Sequence, residues 1–123
     1  MLLRSERRTP IARGNRQNKR MAKTAYTIDY AEGVGQDLAN LRAHERKNVL
    51  DAIDRQLLHE PTRQTRNRKI LVGLILPWEC VSPIWELRIG EYRAFYDVDE
   101  ETSTVTIRAV RYKPPHVRTE EIL

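Results

Sequence analysis

Arg88 and Arg93 stand on either side of Gly90-Glu91, with Glu86 and Asp97 close by in the chain. Arginine stays protonated and forks onto phosphate oxygens, so two guanidiniums held side by side would suit a phosphate-bearing ligand. The runs around them decide whether they meet. Trp85 to Ile89 and Tyr92 to Val98 alternate apolar and polar, and the Gly-X pair between them is what a two-residue type II′ turn demands. Reading outward, Ile89 faces Tyr92, Arg88 faces Arg93, Leu87 faces Ala94, Glu86 faces Phe95 and Trp85 faces Tyr96. One face then carries Trp85, Leu87, Ile89, Tyr92, Ala94, Tyr96 and Val98, a core face. The other carries Glu86, Arg88, Arg93, Phe95 and Asp97. Like charges directly opposite on a sheet cost stability, so the arginine pair needs relief from Glu86 or Asp97, or an anionic ligand. A cross-strand salt bridge from Arg88 to either acid is the purely structural alternative.

Other basic and aromatic residues could join such a site. Thr62 to Lys69 contains Arg63, Arg66, Arg68 and Lys69 without an acid, and the last strand and its exit carry Arg108, Arg111, Tyr112, Lys113 and His116. Arg108 should share the Arg93 face if Val105, Ile107 and Ala109 point to the core. His44 and His59 sit at helix ends, where helix charge or solvent explains them. No clustered His, Asp and Glu spacing argues for a metal, and no cofactor is expected. The lone Cys80 excludes an internal disulfide and reads as a small buried hydrophobe.

The elements that must position these residues follow from periodicity. Ala25 to Tyr30 alternates and is rich in β formers, so it predicts a first strand. Val34, Leu38 and Leu41, then Val49, Leu50, Ile53 and Leu57, recur at helical spacing and predict helices over 31–42 and 44–59, joined as an antiparallel hairpin, with Pro61 marking the end of the second. Thr104 to Val110 is a final strand. The order β-α-α-β-β-β is an α+β fold with the helix hairpin on one face of a mostly antiparallel sheet, which would leave the Arg88/Arg93 face open. Ile70 to Leu76 is apolar, and Pro77 and Pro83 bracket Trp78 to Ser82; Leu71, Leu74, Ile75 and Trp78 are read as capping the core, with an added binding surface as the alternative.

At 123 residues the chain has room for one core. Its net charge of +5 is uneven. Residues 1–22 hold seven Lys/Arg against Glu6, whereas the remainder has fifteen against sixteen acids. Any nucleic-acid footprint in the 23–123 domain must therefore be a local patch. The 1–22 tail is read as a disordered, solvated arm or as residues upstream of the true start, with Met21 an alternative initiator. No apolar run reaches membrane-span length and no secretory signal is visible, so a cytoplasmic protein is expected, without membrane partners.

The block WELRIGEYRAFYDVD, with the strand Thr104 to Val110 after an acidic turn, resembles the RelE/ParE superfamily of bacterial type II toxins, and the likeness extends more loosely from about Ala25 to Val117. The resemblance implies a RelE-like fold, with the helix pair packed on the sheet. Some members of that superfamily, RelE-like, cut messenger RNA in the ribosomal A site; others, ParE-like, poison DNA gyrase and cut nothing. Arg93 matches the arginine of the "YR" motif tied to phosphate stabilisation. Lys113 matches a basic residue that RelE-like members carry after the last strand, but the tyrosine that follows it there is missing, and Ile84 and Glu86 stand where those members have paired lysines. Glu86 as base, with His116 or Tyr112 as acid or stacking ring, are the candidate replacements. The expectation is a ribosome-dependent, metal-independent mRNA endoribonuclease that halts translation. Its partners would be a cognate antitoxin covering the open sheet face and helix grooves, mRNA on the ribosome, and operator DNA only through the antitoxin complex. A ParE-like gyrase inhibitor, or an inactive remnant that still binds antitoxin, are the rivals.

Overall fold

In a computed structural model, residues 25–123 are described; the basic tail read over 1–22 lies outside them. Gly90 sits at φ 58°, the left-handed position that a two-residue hairpin turn requires and glycine adopts without strain. That turn fixes the hairpin of β3, Trp85–Ile89, and β4, Tyr92–Asp99, in the register expected, with Arg88 paired to Arg93 and Trp85 to Tyr96. A Cβ on Gly90 would meet open space, so Gly90→Ala acts through backbone strain alone. It is expected to lower stability by about 1 kcal/mol, seen as a smaller urea midpoint at unchanged slope.

β1, Thr27–Tyr30, pairs in parallel with β5, Thr104–Tyr112, which runs antiparallel to β4. A short strand β2, Arg68–Ile70, adds to the far side of β3, giving the sheet order β1-β5-β4-β3-β2. β2 is not among the elements that periodicity predicts, because three residues are too few to show a period. The helices are α1, Val34–Ala39, and α2, Ala43–Leu57. Their buried Val34, Val49, Ile53 and Leu57 meet Trp85, Leu87, Ala94, Tyr96, Val105 and Ile107 in one core. Tyr96 is fully buried in it and donates its hydroxyl to the Pro61 carbonyl at 2.7 Å, which ties the chain beyond α2 to the sheet.

The opposite face is only partly open, and this corrects the sequence expectation. Phe95 on that face is fully buried, because Leu71, Leu76, Trp78 and Cys80, together with Ile122 and Leu123, pack over Phe95, Ile84 and Ala109. Asp97 fastens this cover by accepting from the Val81 backbone at 2.7 Å and from Arg108 Nε at 2.8 Å. Of the four residues expected to cap the core, Leu71 and Trp78 do so, over this second small core and beside Leu76 and Cys80, whereas Leu74 is not part of it and Ile75, like Val72, is exposed. Ala109 belongs to this second core, not the first. A register shift between Phe95 and Tyr96 turns it over and sends Val110 to the helix side.

Cys80 lies partly buried in that cover. Burial pushes its thiol up, Asp97 pushes the same way and Arg108 opposes. Because only the thiolate is alkylated, its modification at about pH 8 should be slower than that of the unfolded chain and should accelerate as pH rises. Equal rates in the folded and unfolded protein would contradict this placement.

Candidate functional site

Only part of the second face is covered. Where β2, β3 and β4 run side by side near the hairpin end, a cleft of about 240 Å³ remains, lined by Arg66, Asn67, Lys69, Glu86, Arg88, Arg93, Lys113 and Thr119. Five cations thus surround a single carboxylate. Arg88 and Arg93 arrive through the hairpin register, Lys69 through its pairing opposite Glu86, and Lys113 through its backbone N–H, which donates to the Glu91 carbonyl at 2.6 Å. Lys69 of β2 thus brings an ammonium beside the Glu86 carboxylate.

Arg93 is held most firmly. It is 9% exposed, and its Nη1 donates to the carbonyls of Gly90 at 2.9 Å and Tyr92 at 2.8 Å, while Nε lies 3.8 Å from Glu86 Oε2. Burial draws its guanidinium below the ordinary value, Glu86 opposes and Arg88 adds to the lowering, yet an arginine so placed keeps its charge. Glu86 is buried, with Lys69 Nζ 3.5 Å from Oε1 and the Thr119 hydroxyl donating to Oε2 at 3.0 Å. Arg66, Arg88 and Lys113 have no ion-pair partner among the described residues. The expected alternative for Arg88, a salt bridge to Glu86 or Asp97, does not form. Both acids are engaged elsewhere, Asp97 by Arg108. An excess of fixed, unneutralised guanidinium and ammonium groups in a concave site attracts a polyanion and repels a divalent cation.

The remaining candidates lie elsewhere. Arg68 is buried and donates to the carbonyls of Gln56 and Glu60, so it ties α2 to β2 and cannot reach an RNA strand. Arg63 pairs with Glu60 on the surface. Arg108 shares the Arg93 side of the sheet, as expected, but is locked to Asp97. It borders a larger groove of about 620 Å³ at the other end of β4, lined also by Asp29, Asp99, Glu100 and Glu101, whose acidity disfavours phosphate. Arg111 reaches over the sheet edge to Asp37 of α1 at 2.7 Å. Tyr112 packs on Tyr92, whose side chain faces the helices, with ring centroids 5.6 Å apart. His116 is exposed at φ 70° and does not line the cleft. Sequence reasoning missed Asn67 and Thr119. Thr119 is 33 positions from Glu86, and no local pattern announces a contact of that range.

A family model for the ParE toxin of a type II toxin–antitoxin system matches residues 28–113. Among solved structures, a chain of a RelBE toxin–antitoxin complex from Mycobacterium tuberculosis is 26% identical, with a TM-score of 0.60, and the match covers 73% of this chain and 93% of that one. A doubly substituted mutant of the E. coli toxin RelE in its free state is 27% identical at a TM-score of 0.50, over 72% and 83% of the two chains. A chain of the archaeal RelE–RelB complex from Pyrococcus horikoshii, at 18% identity, TM-score 0.56 and coverage of 73% and 97%, shares the fold. Among curated proteins no sequence match is found. No helix among the described residues is long and apolar enough to cross a membrane.

Proposed function

Because the chain belongs to the ParE toxin family of type II toxin–antitoxin systems, within the RelE/ParE superfamily, we propose that this toxin acts as a ribosome-dependent endoribonuclease on messenger RNA. The observation that carries the reading is the cleft, in which Arg66, Lys69, Arg88, Arg93 and Lys113 converge on one face around Glu86. Cleavage needs no metal if the cleft supplies three functions. The Glu86 carboxylate takes the proton of the 2′-hydroxyl as its oxygen attacks the adjacent phosphorus. Arg93 and Arg88 hold the phosphoryl oxygens where negative charge builds. The Lys113 ammonium gives a proton to O5′ as the P–O5′ bond breaks, leaving a 2′,3′-cyclic phosphate and a 5′-hydroxyl. Lys113 takes the acid role assigned from sequence to His116 or Tyr112, since neither lines the cleft. Arg66 and Lys69 are left to grip flanking phosphates. The cleft is small, about 240 Å³, so the ribosome must orient the message. A cognate antitoxin is the natural inhibitor, as the relatives crystallised with theirs suggest, and operator DNA is met only through that complex.

The second reading, a gyrase inhibitor without hydrolytic activity, is favoured by the ParE character of the matching family model and by Ile84 and Glu86 in place of paired lysines. Induced expression in a bacterial host, with methionine and thymidine incorporation followed separately, tests the two. Early loss of methionine incorporation is expected; early loss of thymidine incorporation alone would move the assignment to gyrase.

A further inference from the structure

Beyond Lys113 the chain reverses at Pro114-Pro115-His116 and returns across β3. It ends in a single 3-10 turn, Thr119–Glu121. The turn is closed on itself by the Arg118 backbone N–H, which donates to Glu121 Oε1 at 3.2 Å, and it is anchored by Ile122 and Leu123, which pack on the second core. This places the Thr119 hydroxyl 3.0 Å from Glu86 Oε2. Lys69 and Arg93 approach the carboxylate only to 3.5 and 3.8 Å, so Thr119 makes the one hydrogen bond that the carboxylate receives among the described residues. A carboxylate with a side chain 5% exposed, pulled by two cations on different strands, has more than one orientation that satisfies them. A directed hydrogen bond selects one of these, and threonine, stiff at χ1, aims it well.

We infer that Thr119 is a positioning residue for RNA cleavage, its hydroxyl pinning Glu86 Oε2 so that Oε1, beside Lys69, is presented to the 2′-hydroxyl. The inference rests on the endoribonuclease reading above and extends the site to a segment outside the strands and helices that frame it. Thr119→Val keeps the shape and removes the donor, while Thr119→Ser keeps the donor. Single-turnover cleavage of a defined message on programmed ribosomes separates the cases. Thr119→Val is expected to lower the maximal rate about tenfold at unchanged half-saturating toxin concentration, and Thr119→Ser to restore it. In a Glu86→Gln background, Thr119→Val should cause no further loss, because the two residues act as one unit. Thr119→Val at the wild-type rate, a serine variant as slow as the valine one, or an additive loss in the Glu86→Gln background would overturn the role of Thr119 while leaving the nuclease reading in place. A wild-type protein that cuts nothing on the ribosome would overturn both.

Discussion

Arg93→Ala is expected to abolish growth arrest on induced expression and to slow message cleavage by about 100- to 1,000-fold, the range lost when one preorganised donor to developing charge is removed. The guanidinium is fixed before substrate arrives, by two carbonyls of the hairpin tip and by Glu86, so no reorganisation is needed as charge accumulates. Those contacts also mean that alanine removes hydrogen bonds from the turn, each contributing about 1 kcal/mol. A thermal melt must therefore accompany the activity measurement. Arg93→Lys retains charge but not the fork, and should lie between wild type and alanine in rate while folding normally. Full toxicity in a folded Arg93→Ala protein would remove Arg93 from the site.

The second large effect is on stability. Tyr96→Ala is expected to cost about 3–5 kcal/mol, as for other aromatic truncations in a filled core. Its ring stacks on Trp85 with centroids 6.0 Å apart, and it is fully buried between the sheet and the chain that follows α2. Tyr96→Phe keeps the ring but leaves the buried Pro61 carbonyl without its donor, at about 1–3 kcal/mol. Urea denaturation of the three proteins reads both values. A phenylalanine variant as stable as wild type would show that the carbonyl is satisfied some other way. Because the whole domain is held by only about 5–15 kcal/mol, the alanine variant sits close to the threshold of folding.

The hairpin was legible in the sequence because its information is local. Gly90 names the turn, the turn fixes the register, and the register brings Arg88 against Arg93 with Glu86 two residues away. The two helices were legible for the same reason, although α1 is shorter than its apolar spacing suggested. What escaped was non-local. β2 is too short for periodicity, yet it delivers Lys69 to the cleft. The closure of the second face depends on Asp97 holding Val81 and Arg108, a set of contacts between three separate segments. Arg68 looked like one more cation in a basic run until its burial beneath α2 gave it a structural task. Thr119 reaches Glu86 only because the chain doubles back over β3.

Whether the cleft cuts RNA is decided by incubating the purified toxin with ribosomes programmed by a defined message and mapping the resulting 5′ ends, with Arg93→Ala alongside. New 5′-hydroxyl ends are expected at the codon in the ribosomal A site, formed by the wild type and absent with Arg93→Ala. An intact message, from a preparation that at the same concentration blocks supercoiling by gyrase, would contradict the nuclease reading.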